Sequence, residues 1–356
     1  MKKWILHILS FIFSIVFFSC TAEEEAIHTP DDGSGEVLVS FKLNMPSSRS
    51  ATGLDTNYYW ERYIDPTDVH VFVFANEKYQ EKITYLFWGD EEDGNETRTI
   101  QGRIKKPYQG KKIELVILTN IKKRGATIPK LTAGKTTKQQ LYQGLTFQYG
   151  ANAWTFSEDV KNYIPMWGIS TPISIKADQM NDAGTIYMYR AIAKIDIQIN
   201  EGKGIANFKI KQLELHNVPD QGYCASLLTP NADNSIQFEK ASYPDDMEGC
   251  SGIFEVFHSE AGEEKAIENK IYIPEAGKYS PYPYFKIQIV AEVHNKERTY
   301  DLYMRENQVD KLSGFEIIRN HKYTINIKTI TSTEEIKMAY NTNPWGQGTE
   351  VDIPFN

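Results

Sequence analysis

The feature that most constrains this chain is an alternation of apolar and polar residues with a period of two, recurring along most of its length. Successive side chains of a strand point to opposite faces, so such a stretch buries one row and turns the other outward. In VLVSFKL (37–43), Val37, Val39, Phe41 and Leu43 share a face, with Ser40 and Lys42 opposite. Val69, Val71 and Val73 do the same in VHVFVF. In AIAKIDIQI the row is Ala191, Ala193, Ile195, Ile197 and Ile199, with Lys194, Asp196 and Gln198 on the polar face. Phe285, Ile287, Ile289, Ala291 and Val293 align in FKIQIVAEV, and Tyr323, Ile325 and Ile327 in YTINIKTI. KIELVILT is almost continuously apolar, as suits a strand covered on both faces. In FKIKQLEL the phase slips between Ile210 and Leu213, which predicts a bulge or bend. Helical patterning is confined to TTKQQLYQGL (136–145). Many dispersed strands punctuated by Gly, Pro, Asn and Asp argue against βαβ units and for β-sandwiches.

The start of the chain reads as an export signal. Behind Met1, Lys2 and Lys3, the run Trp4 to Phe18 is apolar but for one His and two Ser. It is shorter than the ~20 residues of a membrane-spanning helix and suits a signal-peptide core. The run ends Ser19-Cys20, which resembles the lipobox of bacterial lipoproteins, although Phe17 and Phe18 stand where smaller aliphatic residues are usual. That resemblance implies cleavage before Cys20 and attachment of lipid, palmitate included, to its thiol. Glu23, Glu24 and Glu25 are similar to the acidic surface-export signal of Bacteroidetes lipoproteins; a solvated tether is the plainer alternative. The expectation is a signal peptide over 1–19, a lipidated tether over 20–36, and a place on the outer membrane or cell surface.

About 336 residues remain, enough for two domains at ~100 to 200 residues each. The boundary is expected near residue 184 in DQMNDAG, giving domains over 37–184 and 185–356. The net charge is −8 and no basic stripe stands out, so nucleic acid is excluded as a partner. With Cys20 given to lipid, Cys224 and Cys250 are left as a candidate disulfide that an oxidising exterior permits but spacing cannot decide. No nucleophile, zinc or phosphate-loop motif occurs, and His7, His28, His70, His216, His258, His294 and His321 are spread singly. His70, in a strand, reads as a packed or hydrogen-bonding residue. GDEEDGNE (89–96) lacks the spacing of a calcium loop and reads as a solvated hairpin. Glu297 and Asp301 are two acids with no further sign of glycosidase chemistry. No catalytic residue, cofactor or metal is expected, and the chain does not read as an enzyme.

The organisation itself, with a lipobox, an acidic tether, an alternating strand, PSSRSATG (46–53) and then two β-domains, resembles the fimbrillin family of type V pili in Bacteroidales. IPMWG (164–168), YRAIAKIDIQI (189–199) and RNHKYTINI (319–327) with Pro344-Trp345 downstream are similar to segments of that family. The resemblance implies an all-β chain of two transthyretin-like, Greek-key sandwiches in tandem. It also implies a fimbrial subunit for adhesion, cut by an Arg-specific protease and polymerised by donor-strand exchange with other fimbrial subunits. Cleavage would fall between Arg49 and Ser50, in a polar loop where nicking concentrates; Arg62 is a second candidate, and a solvated turn arginine is the alternative for Arg49. The first strand, with Val37, Val39, Phe41 and Leu43, would leave with the tether and lipid anchor. At ~1.5 to 3 kcal/mol per buried side chain the vacated groove forfeits on the order of 6 to 12 kcal/mol, and a sheet edge is bared. A strand from another subunit restores both. Its candidate is 335–356, where Ile336, Met338 and Tyr340 alternate, a Pro-Trp-Gly turn follows, and Val351, Ile353 and Phe355 alternate again. The alternative is an ordinary last strand of the same domain.

Two other roles stay open. One is a fimbrial anchor or tip protein that keeps its lipid or lacks a usable donor. The other is a surface glycan-binding lipoprotein, for which Tyr58, Tyr59, Trp60 and Trp88 would be platforms if they are not core residues.

Overall fold

The computed structural model describes residues 35–44, 61–89, 97–105, 108, 110–149, 163–177, 179–199, 208–226, 241, 252–263, 266–276, 285–303, 317–330, 336–344 and 352–354. In chain order the elements are β1 (Glu36–Asn44), β2 (Val69–Ala75), β3 (Lys78–Ile83), β4 (Leu86–Trp88), β5 (Thr97–Lys105), β6 (Lys112–Thr119), the helix α1 (Lys138–Gln143), β7 (Thr146–Gln148), β8 (Met166–Ile169), β9 (Ile173–Ser174), β10 (Asn181–Tyr187) and β11 (Tyr189–Arg190). They continue as β12 (Ile192–Ile199), β13 (Phe208–Val218), β14 (Gln221–Tyr223), β15 (Gly252–Glu263), β16 (Ala266–Pro274), β17 (Lys286–Val293), β18 (Lys296–Tyr303), β19 (His321–Ile330), β20 (Ile336–Pro344) and β21 (Asp352–Pro354).

The strands form two sandwiches. In the first, the sheet β10-β1-β5-β4 faces the sheet β11-β8-β6-β2-β3, with β9 on the side of β6. In the second, β16-β12-β19-β20-β21 faces β15-β13-β17-β18. A small ladder of β7 with β14 joins one sandwich to the other. The alternating rows supply the cores: Val37, Val39, Phe41 and Leu43 are at most 3% exposed, and the rows of β17 and β19 are buried throughout. The phase slip in β13 is a bulge, with the register jumping between Ile210 and Gln212 against both β15 and β17. The expected helix is α1, started by a capping box in which Thr137 Oγ1 accepts from Gln140 N and Gln140 Oε1 accepts from Thr137 N.

Three expectations need correction. The domain boundary near residue 184 falls inside β10, which pairs in parallel with β1; the strand pairing changes hands at Ala191 instead, after β11 has closed on β8. The loop-like DQMNDAG thus opens an ordinary strand. Lys194 and Asp196 are not on a solvent face, because β12 is covered on both sides. Loss of β1 would bare two strand edges where one was expected, because it lies between β5 and β10.

Candidate functional site

The strand expected to be displaced, β1, fills a groove between two other strands. Nine residues of β1 run antiparallel to β5, from Glu36 opposite Lys105 to Asn44 opposite Thr97. On the other side β1 runs parallel to β10, and the ladder shifts register between Ser40 and Lys42. Asn181 fixes the start of that parallel pair by donating from Nδ2 to Leu38 O at 3.2 Å, while Met188 N donates to Asn44 O at 2.9 Å at its far end. Removing β1 would therefore bare two ladders and the floor of the core at once, not one edge.

Of the segment 335–356, expected as a donor, the described strands β20 and β21 pair within the second sandwich. The backbone of β20 runs antiparallel to β19, from Ile336 opposite Ile330 to Pro344 opposite His321, so Ile336, Met338 and Tyr340 take places in that ladder. Beyond it β21 adds to β20, with Ile353 opposite Tyr340. The arrangement is that of ordinary last strands at one edge of the sheet. Val351 and Phe355 lie outside the described residues, as do Cys20, Arg49, Ser50, Cys250 and the acidic stretch 90–96. Cys224 carries a free, buried thiol, and burial pushes its pKa up.

Between the sandwiches lies a buried polar joint that alternation alone does not reveal. Glu61, 1% exposed, accepts at Oε1 from Lys194 Nζ at 2.8 Å and from Tyr272 OH at 2.6 Å. Its backbone oxygen accepts from Arg190 Nε at 2.8 Å. Tyr149, whose hydroxyl burial keeps protonated, donates to Tyr272 O at 3.0 Å. Arg319 grips Glu275 close by, with Nε 2.7 Å from Oε2. At the β7–β14 ladder Gly222 is needed for close approach, since a Cβ there would lie 2.6 Å from the Phe147 ring. Only the excess of charged residues within an apolar strand, Lys194 and Asp196 in AIAKIDIQI, hinted at such a joint.

Elsewhere the polar groups are in structural use. His70 is packed and hydrogen-bonded, as expected. Asp301 is held by Lys286 at 3.0 Å and Gln288 at 2.8 Å; burial raises its pKa, but these two partners outweigh it and leave the group below the usual carboxylate range. Among the described residues no group of His, Cys, Asp and Glu is arranged to hold a metal.

The geometry has known counterparts. The tip fimbrial protein Mfa3 from Porphyromonas gingivalis, with C-terminal truncation, has a TM-score of 0.52 at 15% identity, covering 87% of this chain and 100% of that one. The fimbrial anchor protein Mfa2 from the same organism has a TM-score of 0.41 at 11% identity, covering 86% and 98%. The first likeness shows a shared fold. No curated protein sequence matches the chain. Residues 33–349 match the family described as fimbrillin-A associated anchor proteins Mfa1 and Mfa2. With that match running from ahead of β1 to past β20, across both sandwiches, the chain belongs to the family of fimbrillin-A associated anchor proteins.

Proposed function

We propose that the chain is an accessory subunit of an adhesive cell-surface fimbria, an anchor or tip exported as a lipoprotein through Cys20 and placed at an end of the filament. The observation that carries this is the pairing of β20 with β19 and of β21 with β20. A subunit that keeps this segment in its own sheet has no strand to lend, and a head-to-tail series stops where a strand is not passed on. Family membership supports the fimbrial setting. The groove of β1 supplies the other half: processing after Arg49 would turn the chain into an acceptor for a strand of its neighbour, whereas retention of β1 would leave it lipid-anchored.

The test has two parts. Mass spectrometry of the protein sheared from the cell surface reads its N-terminus: Ser50 is expected of a subunit that accepts a strand, lipid-modified Cys20 of an anchor. Deletion of 335–356 is expected to weaken the second sandwich and leave the remaining fimbrial subunits polymerising. If the deleted protein folds and filament growth stops at it, the segment is a donor and the chain an internal subunit.

A further inference from the structure

The first sandwich carries a cleft that neither the β1 groove nor the joint uses. It has a volume of about 340 Å³ and is lined from the turn at Pro66 and Thr67, from His70 on β2, Lys82 on β3, Leu86 and Trp88 on β4, and from Lys122. That volume lies at the small end of the ~300 to 1,000 Å³ typical of small-molecule sites.

Its electrostatics are one-sided. His70, 2% exposed, has Nε2 2.9 Å from Asp68 Oδ1 and Nδ1 2.9 Å from Lys82 Nζ. A lysine ammonium only donates, so Nδ1 accepts and Nε2–H donates to Asp68. The other oxygen of Asp68 accepts from Lys122 N at 2.8 Å. Both oxygens of the nearest carboxylate are thereby occupied, and Lys82 meets a ring nitrogen in place of a counterion. The Lys122 ammonium is exposed and, among the described residues, donates to Thr67 O alone, at 3.4 Å. Among the described residues neither lysine is within ion-pair distance of a carboxylate. Burial lowers the pKa of Lys82 and the like charge of Lys122 lowers it further, with Asp68 opposing weakly. Two cations are thus held at one cleft at a cost that an anion would relieve.

Beside the charge stands one large ring. Trp88 lines the cleft, with the Arg98 guanidinium 6.0 Å from its ring. Leu86 shares its face of β4 and also lines the cleft, whereas the exposed ring of Phe87 takes the opposite face.

We infer that this cleft binds a sugar acid, with its carboxylate taken by Lys82 and Lys122 and its ring laid against Trp88. An inorganic anion would not use the Trp88 ring, and a neutral sugar would leave the two lysines without an anion. The inference stands apart from the filament-end reading, since no residue that lines the cleft belongs to β1, β5, β10 or β20.

Isothermal titration calorimetry on the full chain in detergent tests it, with glucuronic acid and N-acetylneuraminic acid as probes and glucose, acetate and a glutamate-rich peptide as controls. Both sugar acids, or one of them, are expected to bind more tightly than any control. Lys82→Ala and Trp88→Ala are expected to weaken that binding, the lysine change by about 10- to 100-fold, the worth of one charged hydrogen bond. Lys122→Ala serves where Lys82→Ala disturbs folding, because Lys122 is exposed. The inference is overturned if neither sugar acid binds, if acetate or the peptide binds as tightly, or if affinity is unchanged in both lysine variants.

Discussion

Glu61 shows how much of this molecule rests on single side chains that meet across long stretches of sequence. Its carboxylate is buried with Lys194, 133 positions away, and Tyr272, 211 positions away. Removing one partner leaves the other charge buried and uncompensated, at ~3 to 5 kcal/mol. Lys194→Met should therefore lower unfolding stability by about that amount in urea melts, and the double change Glu61→Leu with Lys194→Met should recover much of it. Lys194 was readable from sequence only as a polar residue between apolar ones. Period two says which face a side chain takes, not whether that face is covered, and the cover here comes from the other sandwich. Cys224 carries a second prediction. A fully buried thiol with a raised pKa stays protonated, so it should resist a thiol reagent at pH 8 in the native protein and react at once in denaturant.

Among the elements, β1, β2, β6, β12, β13, β17 and β19 were legible from their apolar rows, whereas β3, β5, β15, β16 and β18 were not singled out and β10 was taken for a boundary. The rows of β1, β17 and β19 fall inward as the alternation requires, and the slip in β13 is a bulge. Strands of two or three residues, such as β4, β7, β9 and β14, are too short to show a period, and sheet neighbours alone define them. Turns escaped for another reason. The β17–β18 hairpin turns on His294 and Asn295 with φ of 49° and 61°, a conformation that favours glycine and that no residue in the pair announces. Asn295→Gly should relieve it and raise stability by a few tenths to about 1 kcal/mol in thermal melts. Gly168 in β8 presents the opposite case. A Cβ there would lie 2.6 Å from the backbone oxygen of Tyr187, so Gly168→Ala should overpack the contact between β8 and the chain leaving β10, costing about 1 to 3 kcal/mol by urea melts.

At the scale of the whole molecule, the β7–β14 ladder and the Glu61 joint make the two sandwiches packed neighbours. Lys194→Met should loosen that contact, seen as a larger radius of gyration in small-angle scattering before global unfolding begins. The reading of β1 as a removable strand was open to sequence; its central place was not, because strand order depends on pairings that a single strand does not encode. That place has a consequence for any strand that succeeds β1. A replacement that keeps both ladders as β1 makes them would run antiparallel to β5 and parallel to β10, whereas a reversed strand would exchange the two hydrogen-bond patterns. Under the proposed function, a strand that took over both ladders in the register of β1 would enter with the same sense as β1, so the direction of an incoming strand would be written into the sheet before any side chain met its pocket.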